Sequence, residues 1–158
     1  PSCGAPVRVA EGEAVVLTAA LERNAGNDQA VLCVAWAGLT NQIVTATQLD
    51  KDVQNLVLST NAVFVPEGST NSFTVRLNAQ PTNNVTVTTT FTSGNPVLSV
   101  TNGGTLTFTT NNWNVAQAVV LAAAVDLNAV NEQAVFTVAS AGLTNQTVTA
   151  TQLDSGTA

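Results

Sequence analysis

A stretch of 37 residues occurs twice in this sequence, 104 residues apart, and that repetition limits the fold more than any other feature. Ala14 to Asp50 reads AVVLTAALERNAGNDQAVLCVAWAGLTNQIVTATQLD. Ala118 to Asp154 reads AVVLAAAVDLNAVNEQAVFTVASAGLTNQTVTATQLD. The two align without a gap and agree at 27 positions. The spacing exceeds the periods of solenoids and has the size of a complete β-sandwich domain. Residues 51–158 therefore read as one whole unit, and residues 1–50 as the back half of another.

Inside the whole unit the apolar residues follow a period of two, the signature of half-buried strands. Phe73, Val75 and Leu77 alternate with Ser72, Thr74 and Arg76; Val85, Val87 and Phe91 share a face opposite Thr86, Thr88 and Thr90. Leu106 and Phe108 alternate with threonines, and later runs cover 119–125, 134–138 and 147–151. With an opening strand over 56–65, about seven strands result, a number that suits two packed sheets. Turn residues separate the runs: Pro66-Glu67-Gly68, Ser93-Gly94-Asn95-Pro96 and Asn102-Gly103-Gly104. The expected core is Phe73, Val75, Leu77, Phe91, Leu106, Phe108, Phe136 and Val138.

Only 9% of residues are charged, and the chain holds 24 Thr and 17 Asn. Thr suits a wet strand surface and Asn suits turns, so composition and pattern agree on an all-β chain. The four basic residues Arg8, Arg23, Lys51 and Arg76 are scattered, and no basic stripe exists to neutralise phosphates. Nucleic acid is not an expected partner. Polar residues interrupt every apolar run before membrane-spanning length, so no membrane insertion is expected. No leader pattern opens the sequence, and loss of Met before Pro1 accounts for its first residue as well as processing does.

The order VPEGST, SFTVRLNAQPTNNVTVT, GTLTFTTNNWN and a closing VTATQLD resembles Calx-beta-like and immunoglobulin-like repeat modules. The resemblance covers residues 51–154 and the back half again in 14–50. It implies a two-sheet immunoglobulin-like sandwich, of the kind that recurs in bacterial surface proteins and secreted polysaccharide-degrading enzymes. It also implies a possible calcium site, since Calx-beta modules bind that ion with acidic loops at one end of the sandwich. The matching carboxylates are Glu67, Asp126, Glu132 and Asp154. The run of Asp residues expected at the end is reduced to Asp154-Ser155, so calcium dependence is expected to be weak and no other cofactor is expected.

The chain has no His and no Tyr, which removes the commonest general base and most nucleophile–base pairs. Its acids fall in predicted turns, where solvated carboxylates are ordinary. No catalytic residues are expected. Trp113, in an Asn-rich turn, is the one aromatic placed to stack on a sugar. An accessory polysaccharide-binding module is therefore the alternative to a structural role. Asn84-Val85-Thr86 and Asn145-Gln146-Thr147 fit the N-glycosylation pattern.

Cys3 and Cys33 both lie in the half unit, and Thr137 stands where Cys33 would repeat. A disulfide and an oxidising, extracellular or cell-surface setting are expected; two buried thiols are the other reading. The half unit also carries Leu32, Val34 and Trp36 where the whole unit has Phe136, Val138 and Ser140. These residues expect a facing sheet that residues 1–50 do not contain. The half unit packs on the whole unit, belongs to a longer array, or is completed by a neighbour. The expectation is the last: a subunit interface at Leu32, Val34 and Trp36, with copies assembling head to tail.

Overall fold

The computed structural model describes residues 7–8 (backbone only), 15, 17, 26–35, 40–50 and 53–156. These form strands and no helix, so among the described residues no helix is long and apolar enough to cross a membrane. The chain falls into two compact units, residues 1–52 and 53–158.

The first unit holds β1 (Val7–Arg8), β2 (Gln29–Ala35) and β3 (Gln42–Thr47), in the sheet order β1-β2-β3. The second holds β4 (Leu56–Leu58), β5 (Ala62–Pro66), β6 (Thr70–Leu77), β7 (Val85–Gly94), β8 (Leu98–Asn102), β9 (Thr105–Phe108), β10 (Gln117–Ala123), β11 (Gln133–Ala139) and β12 (Gln146–Leu153). Its sheets run β4-β6-β10-β8 and β5-β12-β11-β7-β9, a sandwich-like pair.

Nine strands appear among the described residues of the second unit, where the sequence suggested about seven. The expected opening strand over 56–65 breaks at Ser59–Asn61, so β4 and β5 join different sheets. β8 is the other addition and pairs with the free edge of β10. The chain crosses between sheets again at Gly103, whose φ is +68°. A Cβ there would strike the Ala118 carbonyl, so only glycine fits both the conformation and the close approach.

The two sheets enclose one apolar core. Val63, Val65, Phe73, Val75, Leu77, Leu98, Phe108, Leu121, Phe136, Val138, Val148 and Ala150 are all buried. Seven of the eight expected core residues are buried, and Phe91 is the exception at 45% exposed. Alternation assigned its face correctly, because Val87 and Thr89 precede it on the buried side. The strand, however, runs to the rim of the sandwich, where Phe91 meets Phe136 edge-on at 5.9 Å and lines an open cleft with Leu98 and Val100.

The repeat in sequence is a repeat in structure. In β2–β3, Gln29 pairs with Thr47, Leu32 with Val44 and Val34 with Gln42. In β11–β12, Gln133 pairs with Thr151, Phe136 with Val148 and Val138 with Gln146, the same register 104 residues later. The flanking contacts recur too: Asn27 Oδ1 accepts the Asp50 amide at 2.7 Å, and Asn131 Oδ1 accepts the Asp154 amide at 2.8 Å.

The neighbours of the two hairpins differ. β11 lies between β12 and the antiparallel β7, whereas β2 takes the short parallel strand β1 on that side. β12 lies between β11 and β5, whereas β3 is an edge strand. Among the described residues, one flank of the β2–β3 hairpin is thus occupied by β1 and the other pairs with no strand.

Candidate metal centre

The Pro66-Glu67-Gly68 turn leaves β5 and enters β6 in the other sheet. It is pinned by three backbone hydrogen bonds: Glu67 N–H to Leu153, Gly68 N–H to Ala123 and Ser69 N–H to Pro66, at 2.9–3.0 Å. Gly68 takes a φ of +66°, which glycine adopts without strain. The turn thereby holds the Glu67 side chain between the end of β10 and the end of β12.

From the β10 side comes the loop 124–132. Asp126 donates its amide to Glu67 Oε1 at 2.9 Å and accepts the Asn128 amide on Oδ1 at 3.0 Å. Asn128 caps Val130 through its own Oδ1 and reaches Glu132 Oε1 at 3.0 Å through its amide nitrogen. These short side-chain-to-backbone links are the ordinary work of Asx residues in turns. From the β12 side, Asp154 accepts the Gly156 amide on Oδ1 at 2.6 Å, and the Ser155 hydroxyl donates to Glu67 Oε2 at 2.6 Å.

Glu67, Asp126 and Asp154 each present a carboxylate oxygen within 4.8 Å of the others. Of the four carboxylates that the sequence grouped, the structure brings these three together. Glu132 stays outside the trio and is tied to it through Asn128. The Asp126 Oδ2, Glu132 Oε2 and Asp154 Oδ2 atoms are shielded from solvent and meet no donor among the described residues. Arg76, the basic side chain described, donates instead to the Leu77 carbonyl.

Two unit charges 4 Å apart repel by about 4 kcal/mol at an effective dielectric near 20. Three carboxylates so placed, two of them with a shielded oxygen that meets no donor among the described residues, concentrate negative charge at this end of the sandwich. Their all-oxygen chemistry suits a hard divalent cation such as calcium. The residues fit the ion that the sequence resemblance implies. Glu67, Asp126 and Asp154 would hold it, and the ion would supply charge neutralisation across three chain segments.

The Glu67 carboxyl is held below its usual range, first by the Ser155 hydroxyl, then by the Asp126 and Ser155 amides. Those donors favour the ionised form and keep a charged ligand in place.

The alignment of the two repeats carries a further signal for these positions. Asp126, Glu132 and Asp154 correspond to Glu22, Asp28 and Asp50, so each position keeps a carboxylate while the residue type changes at two of them. Glu67 has no counterpart in residues 1–50, because it belongs to the front half. Glu22 lies outside the described residues.

Other expected sites fare differently. Trp113 is half-buried against the core, so it offers no open sugar platform. The reason is local: Asn112 Oδ1 accepts the Thr109 amide, the Trp113 amide bonds back to Thr109, and the Trp113 carbonyl accepts the Leu77 amide, folding the turn inward. Asn84 and Asn145 are exposed. Leu32 and Val34 are half-buried, and Trp36 lies outside the described residues. Cys33 is buried and no free cysteine stands among the described residues, while Cys3 lies outside them.

Compared with known proteins, the sequence matches no protein-family model and no curated protein.

Proposed function

We propose that this chain is a non-catalytic, load-bearing part of an extracellular fibre, surface layer or adhesive stalk. It would be built from immunoglobulin-like repeats, with the half unit completed by a neighbouring subunit. The observation that carries this reading is the pairing of the second unit's early and final strands. β5 and β12 run parallel, from Ala62 beside Thr149 to Pro66 beside Leu153. The ladder continues at both ends, where Thr149 donates to the Asn61 carbonyl and Glu67 to the Leu153 carbonyl.

Tension along the polypeptide pulls these two strands in opposite directions along their shared axis. All the hydrogen bonds between them then stretch together. An antiparallel hairpin pulled at its two ends opens one bond at a time. The load reaches the β5–β12 pair after the three-residue β4–β6 ladder, and the unit resists force at that pair.

The acidic trio lies at the end of this same pair, since Glu67 follows β5 and Asp154 follows β12. Calcium there would tie the two loaded strands together. A Cys3–Cys33 disulfide would brace the half unit and fits an oxidising exterior.

Single-molecule extension of the full chain tests the reading. Residues 53–156 should give way in one high-force event, and calcium should raise that force. Gradual lengthening at low force, with and without calcium, would remove the load-bearing role.

A further inference from the structure

The first unit presents an apolar face that its repeat keeps inside a core. Val15, Leu17 and Val44 are 45%, 50% and 45% exposed, whereas Val119, Leu121 and Val148 are fully buried at the corresponding positions. An open cleft of about 480 Å³ lies on this face, lined by Leu17, Ala30, Leu32, Ala46 and Gln48. The matching residues Leu121, Ala134, Phe136, Ala150 and Gln152 are buried to within 1%.

The repeat shows what covers such a face. In the complete unit, β5 pairs with β12, β6 pairs with β10, and their side chains Val63, Val65, Phe73, Val75 and Leu77 enter the core. β3, the counterpart of β12, is an edge strand among the described residues. It carries no proline, charge or bulge of the kind that protects edges. On the opposite flank β1 already stands where the complete unit has β7. Among the described residues, the first unit has no counterpart of β5 beside β3.

We propose that the half unit is a docking site for a strand–turn–strand segment with the pattern of residues 60–79, one not already closed inside a sandwich. The docked strand lies parallel to β3 in the register of the complete unit. Its equivalents of Ala62, Val63 and Val65 sit beside Thr45, Ala46 and Gln48. Backbone pairing gives affinity and the alternate side chains fill the cleft, the mode known as β-strand addition. The glutamate after the docked strand then arrives beside Asp50, as Glu67 stands beside Asp154, and completes a second acidic set.

The donor is not the complete unit of a second copy. The β5–β6 segment of the complete unit is already engaged, with Val63, Val65, Phe73, Val75 and Leu77 at most 4% exposed. A copy that lent this segment would uncover its own β11–β12, so exchange closes one face only by opening another.

This inference rests on the reading that a neighbour completes the half unit, and it specifies what that neighbour must bring. The test adds a synthetic peptide of residues 60–79 to the full chain and follows amide hydrogen exchange. Saturable one-to-one binding is expected, with exchange at 42–48 slowed about 100-fold, towards the rates of 146–152. Ala46→Glu, which puts a charge into the cleft, should abolish binding without altering exchange at 146–152. A chain with residues 53–80 fused through a flexible linker ahead of Pro1 should show the same protection and removes the entropic cost of capturing a free peptide.

Unchanged exchange at 42–48 in the fused chain would overturn the proposal. So would protection of 42–48 already present in the unmodified chain, whether at all concentrations (the face covered from within) or rising with concentration (covered by a second copy). Peptide capture by a chain that yields at low force would keep the docking site and discard the load-bearing role.

Discussion

Glu67 and Ser155 are 88 residues apart in sequence, yet the Ser155 hydroxyl donates to Glu67 Oε2 at 2.6 Å. That bond ties the turn after β5 to the segment after β12, and it is the largest cause of the lowered Glu67 pKa. A carboxyl whose folded pKa lies below its ordinary 4.5 stabilises the fold at pH values above 4.5. The contribution fades as pH falls through the folded value. Melting curves of the wild type and Glu67→Gln, without divalent ions, should therefore differ at neutral pH and converge in acid. Ser155→Ala should move the convergence to higher pH. A difference that stays constant with pH would show that the Ser155 bond does not hold the charge.

Calcium should act on the second unit with an affinity of about 10⁻⁴–10⁻³ M, the range of extracellular modules with few charged ligands. At tenfold excess over the dissociation constant, mass action stabilises by about 1.4 kcal/mol. That corresponds to roughly 5 °C in melting temperature for a domain of this size. Asp126→Asn should cross over in sign. Without calcium it relieves repulsion and leaves stability equal or higher; with calcium it abolishes the gain. Calorimetry with chelator and with added ion reads both arms, and a wild type indifferent to both would dismiss the site.

Much of this arrangement was legible in the sequence, and the failures have physical causes. The β11–β12 hairpin and its earlier copy could be read because side-chain alternation and the 104-residue repeat constrain the same register. Phe91 failed because period two reports the face of a strand and not its depth in the sandwich. β1 has no signature in the sequence, because two residues carry no period, yet it pairs with one flank of β2. Glu67, Asp126 and Asp154 were found through a resemblance in turn chemistry. Glu132 was grouped with them because sequence distance does not fix where a loop carboxylate points. Trp113 looked exposed because the sequence does not show that Asn112 folds its turn inward.

The half unit should contain a disulfide between Cys3 and Cys33. Cys33 lies buried on the opposite side of β2 from Leu32 and Val34, and no free cysteine stands among the described residues. Closing a loop of this length contributes about 3 kcal/mol in the chain-entropy model. Mass spectrometry after alkylation without reductant should find no modified thiol. Reduction should speed amide exchange in residues 29–47 and leave 133–151 unchanged. Two alkylated cysteines in native protein would contradict the bond.

Because the repeat supplies identical residues in identical register, it allows a mutational comparison inside one molecule. Val44 pairs with Leu32 and Val148 with Phe136, each in the same hairpin position. Val148 is fully buried and Val44 is 45% exposed. Truncating a buried valine to alanine removes two methyl groups from a packed environment and leaves a small cavity, a loss of about 2–3 kcal/mol. The same truncation on a half-covered face loses part of the transfer energy and leaves no enclosed void, so Val44→Ala should cost under about 1 kcal/mol. Exchange rates at 133–139 report the first change and those at 29–35 the second, each referred to wild type. On addition of the peptide of residues 60–79, Val44 should become core. The cost of Val44→Ala, read as weakened peptide binding, should then approach that of Val148→Ala. Equal costs in the free chain would mean that the face is already covered. A Val44→Ala cost that stays small with the peptide bound would mean that the segment does not seat in the register of the complete unit.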